Sequence, residues 1–258
     1  MEQMTFRELT DELMRLYPQG KYVEALEVVE QNADRFPEEL ARTVFWKMCL
    51  LSLCGRADDV ISVFRQGLDS GLWWAERQFT DTDLDAVRDL PEFKRLMTIS
   101  IENYRQAQKQ IKPQRALLIP DSYQSTLPLL IALHGGGGNK DWNLKDWEVA
   151  RQRGWLVLLP QSTHCIFPNA YWWAEDPNQR VRDIQIHLEE ILQRYPVDAK
   201  RIVIAGISQG SGMAIYTALS GRIPVRGFIS VAVGWSNVND IEAVVPYTRD
   251  VRGYFVIG

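Results

Sequence analysis

Apolar residues follow two different spacings along the chain, and the change comes near residue 112. Before that point apolar positions recur every three or four residues, which is the spacing of amphipathic helices. After it, short continuous apolar runs alternate with amphipathic stretches. Continuous runs are typical of strands that are covered on both faces of a sheet. The pattern therefore predicts an all-helical first part and an α/β second part.

The helical part contains an internal repeat. The stretch 20–29 aligns with the stretch 55–64 at an offset of 35 residues, and each copy begins with a glycine. An amphipathic helix precedes each copy, at 6–17 and at 40–54. Two helix pairs, each joined by a glycine turn, are therefore predicted.

Helix pairs at a period of about 34 residues are the signature of tetratricopeptide repeats, and residues 5–100 resemble such an array. Pro37 follows the first pair, as that pattern expects, and the stretch 82–96 resembles the segment that closes helical arrays. The resemblance implies either a groove for a protein partner or a helical cap that covers the second domain or mediates self-association. Both readings of residues 1–110 stay open.

The second part is predicted to be a doubly wound, mainly parallel sheet, because apolar strands alternate with amphipathic helices. Pro113 breaks the helical pattern, so we place a helical domain at 1–111 and an α/β domain at 112–258. Strands are predicted at 116–119, 128–133, 155–160, 201–207, 227–233 and 253–257, and helices near 144–153, 178–195, 210–220 and 238–246.

The fourth of these strands runs into a turn that fits the pattern Gly-x-Ser-x-Gly. The turn comprises Gly206, Ile207, Ser208, Gln209 and Gly210. In a nucleophile elbow of this pattern the serine hydroxyl stands above the sheet edge, and side chains at the two glycine positions would collide with neighbouring backbone. Ser208 is therefore the candidate catalytic nucleophile. The alternative is an ordinary glycine-rich turn between a strand and a helix.

A second glycine-rich stretch, 135–138, directly follows the strand 128–133. Two backbone N–H groups near an attacking serine would hold the oxyanion that develops in acyl transfer. We expect the N–H of Gln209 and one N–H of this tract, from Gly136 or Gly137, to form that oxyanion hole. The alternatives are a flexible loop or a phosphate-binding loop, but residues 139–141 lack the Lys-Ser/Thr pair of the latter. His134 ends the strand, and we favour a loop-ordering role for it.

These motifs resemble the α/β-hydrolase superfamily, and within it the carboxylesterase/phospholipase-like and predicted-esterase branches. The similarity spans about residues 113–258, and it implies a serine esterase. It also implies that the loop 161–175 helps to form the substrate pocket, with its aromatic residues Phe167, Tyr171, Trp172 and Trp173. The alternative is that these four aromatic residues pack beneath the loop.

The triad that such an enzyme needs is incomplete in the sequence. In this fold the order is Ser, then Asp or Glu, then His, but His134, His164 and His187 all precede Ser208. Asp240 or Glu242 is a candidate acid. The last predicted strand has no loop or helix after it, so we expect the chain to be a fragment, with the triad Asp and His beyond residue 258.

The composition and charge of the chain bear on its partners, its cofactors and its location in the cell. The 258 residues carry a net charge of −4, which does not favour nucleic acid or an anionic membrane surface as partner. No apolar run approaches the roughly 20 residues of a membrane helix. Cys49, Cys54 and Cys165 are scattered and show no zinc-ligand spacing. We expect a cytoplasmic protein without metal or cofactor.

Two functions follow from these expectations. The first is a serine hydrolase that cleaves a carboxylic ester by an acyl-enzyme mechanism. The alternative is a non-catalytic interaction protein, in which the helical repeats bind a partner and the hydrolase-like body has no turnover.

Overall fold

The computed structural model describes residues 4–123, 125–234, 238–245 and 250–257. They form two compact units. The first comprises the chain up to Gln110 together with Cys165–Asn169, and the second comprises Ile111–His164 and Ala170 onward.

Up to Gln110 the first unit is all-helical, as predicted. Its helices are α1 (Phe6–Leu16), α2 (Tyr22–Asn32), α3 (Leu40–Leu53), α4 (Ala57–Asp69), the short α5 (Asp85–Arg88) and α6 (Pro91–Gln108). The first two helix pairs are α1/α2 and α3/α4, at the positions that the repeat predicts. Gly20 and Gly55, which open the repeated stretches, have φ values of 70° and 73°. This left-handed conformation explains a glycine at both turns.

The start of α1 is fixed by a capping box. The Thr5 side chain accepts a hydrogen bond from the Glu8 N–H at 3.3 Å, and the Glu8 carboxylate accepts one from the Thr5 N–H at 2.7 Å. Each residue thereby satisfies an amide that the helix leaves unpaired.

The first unit also includes a segment that lies far along the chain. This segment contains the short strand β4 (Cys165–Phe167). The Ile166 carbonyl accepts a hydrogen bond from the Ala75 N–H at 2.8 Å. The Phe167 ring lies 6.5 Å from the Phe45 ring. No periodicity in the sequence indicated that residues 165–169 would pack with the helices.

The second unit is built on a six-stranded sheet with the order β1-β3-β2-β6-β7-β8. β1 pairs antiparallel with β3, and every other pair is parallel. The strands are β1 (Gln114–Leu118), β2 (Leu127–Leu133), β3 (Leu156–Gln161), β6 (Val197–Ile207), β7 (Gly227–Val231) and β8 (Arg252–Val256), and β5 (Ala170–Tyr171) is a short additional strand. The predicted mainly parallel sheet is confirmed.

Helices cover both faces of this sheet. They are α7 (Leu144–Gln152), α8 (Pro177–Arg194), α9 (Gln209–Ser220) and α10 (Val238–Val244). On one face Leu129 and Ile131 join a core that includes residues of α8 and α9. On the other face Leu130 and Ala132 join a smaller core against Trp147 of α7. Alternate residues of β2 pack into cores on opposite faces of the sheet, which explains why the strand is one unbroken apolar run in the sequence.

Among the helices that the structure describes, none combines the length and the apolar character needed to cross a membrane.

Candidate active site

A strained turn lies at the carboxyl end of β6. The strand ends at Ile207, α9 begins at Gln209, and Ser208 between them has φ 52° and ψ −120°. A non-glycine residue in this region is strained, and such residues cluster at functional sites. The Ser208 N–H donates to the Val231 carbonyl at 3.0 Å, and its own carbonyl accepts from the Ser211 N–H at 2.9 Å. These bonds hold the serine backbone in its strained conformation.

Glycine is required on both sides of this serine. A Cβ on Gly206 would lie 2.0 Å from the Gly210 carbonyl oxygen, and a Cβ on Gly210 would lie 2.4 Å from the His134 carbonyl oxygen. Both distances are far inside van der Waals contact. The first glycine lets the helix turn back over the strand, and the second lets α9 approach the end of β2. These are the steric roles that the sequence predicted.

The glycine tract after β2 lies beside the turn. A Cβ on Gly135 would lie 3.3 Å from the Ile207 carbonyl oxygen and 3.5 Å from Ser208 Cβ. The two motifs that stood out in the sequence, 73 positions apart from Gly135 to Ser208, therefore meet in the structure. This proximity is the geometric condition for an oxyanion hole.

The two candidate amides of the tract differ in their partners. The Gly137 N–H donates to the Tyr171 carbonyl at 2.8 Å. This hydrogen bond joins the glycine tract to the loop, so the Gly137 amide already has an acceptor. Gly136 faces Trp172, since a Cβ there would lie 2.3 Å from the ring atom Cζ3. Gln209 is the first residue of α9, and a helix leaves the N–H of its first residues without an intrahelical acceptor. Of the tract's two candidates, Gly136 is thus the one whose amide is not used by Tyr171.

His134 orders this region and has no free nitrogen. Its Nδ1–H donates to the Gly135 carbonyl at 2.8 Å, and its Nε2 accepts from the Ser162 N–H at 3.2 Å. Its ring stacks on Trp173 with centroids 4.8 Å apart. Burial lowers the pKa of His134 to about 4, so the imidazole is neutral. A histidine with both nitrogens occupied cannot accept a proton from Ser208, and the geometry fits the loop-ordering role.

The Gln209 side chain has a positioning role that the sequence did not indicate. Its Oε1 accepts from the Trp173 N–H at 3.1 Å, and its Nε2 donates to the Trp173 carbonyl at 3.2 Å. The Trp173 indole N–H in turn donates to the His134 carbonyl at 2.9 Å. One residue of the elbow thereby fixes the aromatic loop, and that loop fixes the end of β2.

A buried carboxylate anchors the same loop to α8. Asp183 accepts from the Thr163 N–H and from the Thr163 hydroxyl, both at 2.9 Å, and from the Gln179 amide at 2.7 Å. Burial raises the pKa of Asp183, and these hydrogen bonds oppose the rise. The only signal in the sequence was a lone acidic residue beside Ile184 on the apolar face of the predicted helix.

Gly234, in the loop after β7, is a further site residue that the sequence analysis missed. A Cβ at this position would lie 2.5 Å from Ser208 Oγ. Its N–H donates to the Ser208 carbonyl at 3.2 Å. Its backbone therefore lies directly against the serine side chain, and any larger residue would displace the hydroxyl.

The four aromatic residues predicted for the substrate pocket occupy different environments. Only Trp172 is partly exposed, and it lies against Gly136. Trp173 is 1% exposed within the core of the second unit, and Tyr171 holds Gly138 through its N–H at 3.0 Å. Phe167 belongs to the first unit, where it is 4% exposed. Three of the four side chains, those of Phe167, Tyr171 and Trp173, are therefore buried, and a pocket role for the four residues stays a prediction.

Two of the remaining triad candidates, Asp240 and His187, lie against arginine side chains. Asp240 on α10 lies 3.5 Å from the buried Arg180 guanidinium, which also donates to the carbonyls of Ala174 and Glu175. His187 on α8 lies 3.1 Å from Arg115 Nη1. Glu242 is exposed on α10. The structure therefore pairs the candidate acid Asp240 with an arginine.

Two protein-family models match separate stretches of the chain. Residues 5–108 match the model of the A/B hydrolase-like N-terminal domain, and residues 174–241 match the Phospholipase/Carboxylesterase model. The first match describes the helical region as an N-terminal domain of hydrolase-like proteins. It does not address tetratricopeptide repeats, so that interpretation stays a prediction. A comparison with curated proteins gives no match.

The chain is also similar to several solved structures, and three of them come from bacteria. An uncharacterised protein from Bacillus cereus is 22% identical over 98% of this chain and 81% of its own, with a TM-score of 0.46. Est1E from Butyrivibrio proteoclasticus is 20% identical over 47% and 46%, with a TM-score of 0.38. FphF, a fluorophosphonate-binding serine hydrolase of Staphylococcus aureus, is 18% identical over 51% and 58%, with a TM-score of 0.37. The chain spans less than two thirds of the length of the last two.

Proposed function

We propose that this α/β-hydrolase, which matches the phospholipase/carboxylesterase family over residues 174–241, is a serine hydrolase that cleaves a carboxylic ester through an acyl-enzyme. The family match supports an ester hydrolase. The main support for a serine nucleophile and an acyl-enzyme is the strained backbone of Ser208, with φ 52°, beside the glycine tract. The catalytic domain in this proposal is 112–258, and the helical domain is 1–111.

In the proposed reaction the Ser208 hydroxyl oxygen attacks the ester carbonyl carbon while a base takes the hydroxyl proton. The carbonyl oxygen becomes an oxyanion, which accepts hydrogen bonds from the N–H groups of Gln209 and Gly136. We assign Gly136 rather than Gly137 because the Gly137 amide is bonded to Tyr171. Collapse of the intermediate expels the alcohol and leaves an acyl-serine, and water then releases the acid.

Trp172 is the proposed wall of the substrate pocket. Its ring lies beside the proposed oxyanion donor Gly136, where an apolar acyl or alcohol group of the substrate would pack. Tyr171 and Trp173 are proposed to position the loop rather than to touch substrate. Phe167 is left out of the pocket, since it packs in the helical unit.

The base is proposed to come from outside the 258 residues, with a triad Asp preceding it. His134 has both nitrogens bonded, and His187 lies against Arg115. His164 lies in the loop after β3, where its backbone N–H donates to the Ser162 hydroxyl at 3.1 Å. A removed triad member typically costs several orders of magnitude in rate, so residues 1–258 alone are expected to have low activity.

Turnover of short acyl esters by the full-length protein tests the proposal. The wild-type protein should hydrolyse p-nitrophenyl acetate, and Ser208→Ala should lose that activity by about a thousandfold or more. Ser220→Ala, at the far end of the same helix, is the matched control and should retain it. If no short acyl ester is turned over by the full-length protein, the non-catalytic alternative is favoured instead.

A further inference from the structure

A buried arginine binds two segments that reach the candidate active site. Arg180 lies near the start of α8 and is only 6% exposed. Charged side chains are rarely buried to this extent unless they are paired and hydrogen-bonded. The role of Arg180 therefore depends on the groups that its guanidinium holds.

The first of these groups is the end of the loop that carries Trp172. Arg180 Nε donates to the Ala174 carbonyl, and Nη2 donates to the Glu175 carbonyl. Two successive carbonyls suit a guanidinium, because its N–H groups form a rigid, planar fork. Residues 174 and 175 belong to no helix or strand, so the arginine supplies hydrogen bonds that regular secondary structure does not give them.

The second group is a carboxylate on α10. Arg180 Nη1 lies 3.5 Å from Asp240 Oδ2, and Asp240 is in the first turn of that helix. Burial lowers the pKa of Arg180, and the charge of Asp240 opposes this effect. The pair attaches the first turn of α10 to α8, beside the end of the loop.

Both segments contact the proposed catalytic groups. The loop places the Trp172 ring against Gly136, a proposed oxyanion donor. The segment between β7 and α10 places Gly234 against the Ser208 hydroxyl. One buried side chain thus joins the segment that carries the proposed pocket wall to the segment that packs on the nucleophile.

We propose that Arg180 is a positioning residue of the esterase site, which fixes Trp172 relative to Ser208 by holding the loop end and α10 together. The inference rests on the proposed function. Arg180 acts through Trp172 rather than by touching substrate. Asp240, a candidate triad acid in the sequence, has the role of its ionic partner in this account.

Hydrogen exchange of the full-length protein tests the connection without any need for activity. In Arg180→Gln the Trp172 and Trp173 amides and the α10 peptide should all exchange at least about tenfold faster than in wild type, because both sets of contacts are lost. Arg180→Lys keeps a charge beside Asp240 but lacks the fork, so only the tryptophan amides should exchange faster. Asp240→Asn should accelerate exchange in α10 alone.

A double-mutant cycle tests the role in catalysis. With p-nitrophenyl butyrate as substrate, Arg180→Gln should lower kcat/KM by about tenfold. In a Trp172→Ala background the same change should cost less than about twofold, because the residue that it positions is already gone. A loss of fold stability alone would lower kcat/KM by the same factor in both backgrounds.

Arg222→Gln is the matched control for both measurements. Arg222 also binds the start of α8, through a 2.7 Å hydrogen bond to the Asn178 side chain, but it is exposed. Its replacement should change neither the exchange of the two segments nor kcat/KM.

Two results would overturn the proposal while the wild-type enzyme is active. One is unchanged exchange of the Trp172 and Trp173 amides in Arg180→Gln and Arg180→Lys, and the other is an equal loss of kcat/KM in the two backgrounds. If Arg180→Gln does not fold, Arg180→Lys takes its place in the cycle with the same criterion. If the wild-type protein turns over no ester, the esterase proposal itself is wrong and the positioning role falls with it.

Discussion

The substitution Gln209→Leu tests how the elbow and the aromatic loop are joined. The change removes both side-chain hydrogen bonds to the Trp173 backbone, at 3.1 and 3.2 Å, and leaves the backbone N–H of residue 209 in place. It therefore separates the positioning role of the side chain from the proposed oxyanion role of the amide.

The expected loss of stability follows from the two backbone groups of Trp173 that lose their hydrogen-bond partner. The Trp173 N–H and carbonyl lie in a region where Trp173 is 1% and Gln209 is 9% exposed. A buried polar group that loses its partner costs about 1–3 kcal/mol, so the variant should lose about 3 kcal/mol of stability in the second unit. Loosening of the loop beside His134 should also lower kcat by roughly tenfold or more.

Urea unfolding and hydrogen-exchange mass spectrometry of the peptide that contains Trp173 measure the two effects. Thr217→Val is the matched control on the same helix, because the buried Thr217 hydroxyl has no partner among the described residues. Replacing this unpartnered buried hydroxyl with a methyl group should not destabilise the protein, and it should stabilise it by up to about 1 kcal/mol. If Gln209→Leu is as stable as this control and the Trp173 amide exchanges no faster, the side-chain clamp is not a structural element.

Two further predictions concern Gly206, with Gly221 as its control, and the buried His134. Gly206→Ala places a Cβ 2.0 Å from the Gly210 carbonyl oxygen, so it should cost about 3 kcal/mol or more and abolish activity. Gly221→Ala, where φ is 66° and the space is open, should cost only about 1 kcal/mol and leave activity intact, and equal urea midpoints for the two would contradict the steric account. Burial lowers the pKa of His134 from 6.5 to about 4. As the pH falls, the imidazole is therefore protonated in the unfolded state before it is protonated in the folded state. Stability should fall by up to about 3 kcal/mol as the pH drops from about 6.5 to about 4, and urea unfolding of His134→Gln should show a smaller fall.

The parts of the site that could be predicted from sequence are local. The turn at Ser208 was predictable because its glycines and the apolar strand before it are contiguous in sequence. The glycine tract was predictable for the same reason, and both lie at the carboxyl ends of parallel strands, where ligands bind in such sheets.

The parts that were missed depend on pairs that are distant along the chain. Gln209 and Trp173 are 36 positions apart, and Asp183 and Thr163 are 20 apart, and neither pair has a periodic signature. The choice between Gly136 and Gly137 depended on where Tyr171 places its carbonyl. The location of Phe167 depended on a packing partner, Phe45, more than a hundred positions away. Patterns of single residues do not carry such information.

The most direct measurement of the central claim is the identity of the serine that reacts with a fluorophosphonate. The full-length protein should be labelled, digested and sequenced by tandem mass spectrometry, with Ser208→Ala and Ser220→Ala in parallel. The account predicts a single adduct on Ser208, absent from Ser208→Ala and present in Ser220→Ala. An adduct on another serine, or labelling that persists in Ser208→Ala, would contradict it.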